Sequence, residues 1–185
     1  VAPAFLDQAY DNIALPIGYN QTLSQPYIVA YMPEKLQLND RMNVLEIGTG
    51  TGFLTTMLAM QTDEVVSCEI HPALADAARH NISNHGVSNA KVIQVNAMDA
   101  QAMAQVDEMN TSFDVIVLSA ATKKIPAHIE KLLHDGGQMI AFIGSNPMLT
   151  MTHRRKIGQT WQETTLCETL LQDMEGITEK REFVF

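Results

Sequence analysis

The chain has 185 residues, 46% of them hydrophobic, with 21 Asp and Glu against 12 Lys and Arg for a net charge of −9. That length suits one domain able to bury a core without staples, and the charge argues against a nucleic-acid partner, because neutralising phosphates takes clustered Lys and Arg. No apolar run reaches the roughly 20 residues of a membrane span, and two cysteines make no disulfide framework, so a reducing cytoplasm and no membrane partner are expected. The six histidines lack zinc-ligand spacing and the eleven methionines are scattered as core filler, so no metal is expected. The chain begins at Val1, which leaves a removed N-terminal piece open.

In chain order, the stretch Leu15 to Thr22 carries Pro16 and Gly18 and reads as an ordered loop able to fold over a ligand; an ordinary surface connection is the alternative. Asn20 suits a left-handed turn position. Ser24 stands at a plausible helix N-cap with Pro26 in the first turn, and Pro33 should shorten or kink the apolar helix that follows. Val44-Leu45-Glu46-Ile47 is a buried-looking strand that runs into Gly48-Thr49-Gly50-Thr51-Gly52 and then a helix starting near Phe53. Glycines at these positions let the chain turn tightly and let a ligand approach the main chain. Their GxGxG spacing differs from the GxGxxG of a dinucleotide site.

Glu64 to Glu69 is a second strand of this unit, and Glu69 at its end falls near the spacing at which a carboxylate accepts from ribose hydroxyls; the alternative is a solvated residue opening the next helix. Lys91 to Val95 is a third strand. Asp99 beyond it suits either an acceptor for an adenine amino group or a cap on a helix beginning near Ala100. Phe113 to Leu118 is a nearly continuous apolar fourth strand, expected at the centre of a sheet covered on both faces. A helix from about Pro126 to His134 follows, stopped by Asp135-Gly136-Gly137, and Gln138 to Ile143 is the fifth strand.

This alternation from roughly residue 24 to residue 144 predicts an α/β fold, doubly wound, with a mostly parallel sheet, helices on both faces and a ligand at the carboxyl ends of the strands. Met148 to Lys156 and Thr160 to Leu170 read as an antiparallel edge hairpin joined across Ile157-Gly158, with the basic run His153 to Lys156 as the solvated end of a strand. The tail from Gln172 is mostly polar and ends in Phe183-Val184-Phe185, which suggests docking. One domain is expected, with a covering segment over 1–40, a ligand-binding α/β core over 41–144 and a hairpin and tail over 145–185.

The glycine loop resembles the first motif of class I methyltransferases that use S-adenosylmethionine. The longer run Leu15-Pro16-Ile17-Gly18, then Gln21-Thr22-Leu23-Ser24-Gln25-Pro26, upstream of Val44 to Gly52 and followed by Ser119-Ala120-Ala121, resembles the protein-L-isoaspartate O-methyltransferase family over about residues 1 to 144. The resemblance implies S-adenosylmethionine as methyl donor and S-adenosylhomocysteine as product, held by Glu46, Gly48, Thr49, Gly50, Gly52, Glu69, Ile70 and Asp99. It implies a protein or peptide substrate bearing isoaspartate, bound by Ile17, Gln21, Thr22, Ser24, Ala120 and Ala121, with the Ser24 hydroxyl in the active site. The chain departs from the family pattern at Asn20, Pro33, Met98, Ala100 and Phe142. A related methyltransferase with a drifted acceptor and a non-catalytic cofactor-binding homologue are the alternatives, and a monomer is favoured.

Overall fold

From the N-terminus a 3-10 turn (Pro3–Gln8) leads into a two-stranded hairpin, β1 (Leu15–Gly18) and β2 (Gln21–Leu23), and then into helix α1 (Pro26–Leu36). The expected loop is thus a hairpin. Its two-residue turn places Tyr19 and Asn20 both at positive φ, 54° and 55°. That geometry matches the twist of paired strands, and Asn tolerates it well. Helix α1 runs through Pro33 for a further three residues and stops at Gln37, which takes the left-handed conformation. Pro33 is buried with Met32 and Leu36 against the sheet, so tertiary packing holds the helix together past the missing amide.

Next come β3 (Asn43–Ile47), α2 (Phe53–Ala59), β4 (Glu64–Glu69), α3 (Pro72–Asn84), β5 (Ala90–Gln94), α4 (Ala104–Asp107), β6 (Phe113–Thr122), α5 (Ala127–Lys131), β7 (Leu133–Ser145), β8 (Met148–Ile157) and β9 (Thr160–Thr169). The structure is a computed structural model that describes residues 1, 3–107, 112–145 and 148–176. The expected docking residues Phe183 to Phe185 lie outside the described residues.

Strands β3 to β9 form one sheet in the order β5-β4-β3-β6-β7-β8-β9. The first five are parallel, whereas β8 and β9 add antiparallel at the edge as the pattern in the sequence predicts. Because successive side chains in a strand face opposite sides, Leu45, Ile47, Ile116 and Leu118 join the layer that packs on α5. Val44, Val65, Val115 and Val117 join the layer that packs on α1 and α2. Chain order reverses between β3 and β6, and the crevice beyond their carboxyl ends is the place such a sheet offers a ligand.

Helix α5 is shorter than expected, ending at Lys131 where the sequence suggested His134. The buried Leu133 pairs with Phe113 in the sheet, so the chain has already left the helix. Gly136, at φ 83°, then bends it back into register at Gln138. Among the described residues no helix is long and apolar enough to cross a membrane.

Candidate active site

Two cavities open at the carboxyl ends of the parallel strands and meet over the glycine loop. The first is walled by the ends of β3, β4 and β6, with Glu69, Ile70, His71, Asn96, Met98 and Glu175 around it. The second has Ser24, Glu46, Thr49, Val29, Met32 and Phe53 in its wall. Ile17, Thr22, Gly48, Gly50 and Ser119 line both.

The three glycines of the loop do different work. A Cβ on Gly48 would come within 2.6 Å of Ser119 Oγ and one on Gly50 within 3.2 Å of Ile17 Cδ1, and both residues face the cavities. Gly52 lines neither. At φ 84° it starts α2, and a Cβ there would meet the Ala78 backbone at 3.2 Å, so it serves the close packing of α2 on α3.

Glu69 is 5% exposed and braces the loop. Its Oε2 accepts from Gly50 N at 2.8 Å and its Oε1 from His71 N at 3.0 Å. Each oxygen keeps a further lone pair, so the carboxylate still has room for hydroxyl donors from the cavity that it lines. Glu46 differs. It is fully buried, its Oε2 accepts from Thr55 Oγ1 at 2.5 Å and Ser67 Oγ at 2.7 Å, and its Oε1 has no hydrogen-bond partner in the structure. Burial pushes its carboxyl up from 4.5 to about 7, against the opposing pull of the Thr55 and Ser67 hydroxyls. Thr49 and Ser67 share a 2.5 Å hydrogen bond that carries this network into the loop. Ser67 was missed in the sequence, although a polar residue inside Val65-Val66-Ser67-Cys68, in register with Glu46, is a readable sign.

Ser24 lines the second cavity but does not cap α1. The residue preceding the helix is Gln25, whose carbonyl accepts from Val29 N at 3.1 Å, because Pro26 occupies the first helical position. The cap reading of Ser24 is therefore corrected, and its hydroxyl is free of that duty. Of the first-turn groups, Pro26 has no N–H and Tyr27 N donates to Asn12 Oδ1.

Asp99 is exposed, and its Oδ1 accepts from the N–H groups of Gln101 (2.9 Å) and Ala102 (3.3 Å). Of its two readings the structure builds the capping one, on a turn that precedes α4 at Ala104, later than the expected start near Ala100. The first cavity is lined instead by Asn96, Ala97 and Met98. Ala120 lines the first cavity. Ala121 is corrected too: it is buried, lines neither cavity, and its N–H and carbonyl pair with Gln172 O and Met174 N.

That pairing brings the chain after β9 back over the site, which the polar composition of this segment concealed. Glu175 Oε1 accepts from Gln21 Nε2 at 2.8 Å, and its Oε2 lies 3.3 Å from His71 Nε2 without the alignment of a hydrogen bond. Tyr19 stacks on His71 with ring centroids 4.2 Å apart. The hairpin and the returning segment together roof the first cavity. Ile17, Gln21 and Thr22 thus reach the site from the hairpin, and Ile70 from the end of β4. Among the described residues no group of His, Cys, Asp or Glu is placed to hold a metal ion.

Comparison with known proteins gives this arrangement relatives. The family model described as protein-L-isoaspartate(D-aspartate) O-methyltransferase matches residues 1–170. The chain belongs to this family. It is 38% identical over 156 residues to a protein-L-isoaspartate O-methyltransferase of Vibrio parahaemolyticus, covering 84% of this chain and 72% of the relative. It is 35% identical over 166 residues to the protein of that name from Herpetosiphon aurantiacus, covering 90% and 71%. A Plasmodium falciparum structure assigned to the same activity, in complex with S-adenosyl-L-homocysteine, superposes with a TM-score of 0.79 over 90% of this chain and 81% of that one. At 19% identity, this last likeness establishes the fold.

Proposed function

We propose that the chain is an S-adenosylmethionine-dependent carboxyl O-methyltransferase that methylates the free α-carboxylate of L-isoaspartyl residues in damaged proteins or peptides. Membership of the family supports the reaction class. The observation that carries the site is the pair of cavities joined across Gly48, Gly50 and Ser119, the first suited to the nucleoside part of a donor and the second, which holds both Glu46 and Ser24, to the donor's ammonium end and to the acceptor.

The residues present fit the donor. Gly48 and Gly50 leave space a Cβ would fill, Glu69 retains lone pairs for ribose hydroxyls, and the orphaned Glu46 Oε1 is a buried acceptor for a cationic ammonium group. When bound, S-adenosylmethionine supplies a methyl group made electrophilic by its sulfonium. Thr49 ties the loop to Ser67, and Ile70 adds an apolar wall.

On the acceptor side the nucleophile needs no general base, because a carboxylate with a pKa near 4 is already ionised at neutral pH. Ser24 Oγ donates to one carboxylate oxygen and leaves the other free to attack. Val29, Met32, Leu54 and the half-exposed Phe53 give that cavity an apolar side, which disfavours separated charges more than an anion and cation approaching neutralisation. Holding the reactants in a near-attack arrangement can contribute roughly 7 to 11 kcal/mol. In this reading 1–40 covers the site, 41–144 holds the donor and the described residues of 145–185 complete the sheet and roof of a single domain. A reducing, cytoplasmic setting accords with Cys68 and Cys167 as free thiols.

The test is methyl transfer to matched peptides. Those bearing L-isoaspartate should yield base-labile esters, and the same peptides with normal L-aspartate should react far more slowly. Failure of both while S-adenosylmethionine still binds would move the acceptor to another carboxylate.

A further inference from the structure

Any methyl group passing from the first cavity to the second must cross the wall they share. Two of the five residues in that wall, Thr22 and Ser119, carry a polar side-chain atom. Thr22 belongs to the hairpin; Ser119 lies in β6, in the middle of the sheet, beside β3.

The single proton of Ser119 Oγ is spoken for. It is directed at Gly48 O, 2.5 Å away, and at Ile47 O, 3.0 Å away. Among the described residues no hydrogen bond is donated to this oxygen, and the residue lines both cavities. An oxygen that donates its own proton to carbonyls becomes a better acceptor. The methyl hydrogens of a sulfonium are electron-poor and suit such an acceptor through C–H···O contacts.

We propose that Ser119 Oγ is the group that recognises the sulfonium methyl at the junction, and that it makes the site discriminate the charged, methyl-bearing donor from its neutral, demethylated product. The proposal rests on the donor reading above. Its consequence is a contact that S-adenosylmethionine makes at the junction and that is lost when the methyl group has left.

Calorimetry on the full chain with each ligand tests this without relying on turnover. Ser119→Ala should weaken S-adenosylmethionine by about threefold while leaving S-adenosylhomocysteine unchanged. Ser119→Thr, which keeps the hydroxyl, should retain most of the discrimination. Ser119→Cys, which keeps the size but exchanges oxygen for a weak acceptor, should lose it; this variant also serves if the alanine protein does not fold. Equal weakening of both ligands would mean that the hydroxyl only props up the Gly48 carbonyl, and no change in either would remove Ser119 from the site. Both results overturn the proposal and leave the methyltransferase reading standing. A wild-type chain that binds neither ligand would overturn both.

Discussion

The two cavities are each walled by a buried glutamate from neighbouring strands, and the two carboxylates are used in opposite ways. Glu69 spends both oxygens on backbone N–H groups of Gly50 and His71, so its charge also holds the loop in shape. Glu46 has only the hydroxyls of Thr55 and Ser67 on one oxygen and nothing on the other. The difference teaches that burial alone does not define a binding carboxylate. One is a brace with capacity to spare, and the other keeps a buried oxygen without a partner.

The sharpest way to expose that contrast is pH. The folded protein keeps Glu46 protonated up to about pH 7, whereas the unfolded chain loses this proton near 4.5. Stability from this group is therefore fully present below 4.5 and falls as pH rises to about 7, by on the order of 3 kcal/mol. Urea unfolding of the ligand-free protein between pH 4.5 and 7 should show this decline, and Glu46→Gln should flatten it. An equal slope in the glutamine protein would mean that Glu46 does not titrate in this window.

At Glu69 the expected effect falls on ligand affinity. Glu69→Ala removes the proposed ribose acceptor and releases Gly50 N, and should weaken S-adenosylmethionine by about 1.5 to 3 kcal/mol in calorimetry. If a folded variant bound the donor normally, Glu69 would be a brace and nothing more.

Much of this was legible beforehand, for physical reasons that differ by region. The parallel strands are buried on both faces and read as apolar runs, and a turn that leads a strand into a helix over open space needs glycine, so β3, β4, β6 and the Gly48 and Gly50 positions were visible. The Leu15 to Ser24 run was legible as a family resemblance. Position-specific roles were less so. Gly52 looks like its neighbours in sequence but faces α3, because one more residue carries the chain past the cavity. Ser24 looked like a cap because a serine two residues before a proline commonly is one, yet the helix begins one residue later. Glu175 and Met174 carry no local pattern at all; only the pairing of their segment with Ala121, far away in sequence, brings them to the site.

The division of labour between the two cavities is the central claim, and Ser24 tests it most directly. Ser24→Ala and Ser24→Asp should change stability by no more than about 0.5 kcal/mol, since the side chain caps nothing. In methyl transfer to an L-isoaspartyl peptide, the alanine protein should lose about tenfold or more in kcat/KM and the aspartate protein nearly all of it through repulsion of the substrate carboxylate, with S-adenosylmethionine affinity near wild type in both. Wild-type turnover by a folded Ser24→Asp protein would contradict the account and place the acceptor carboxylate elsewhere.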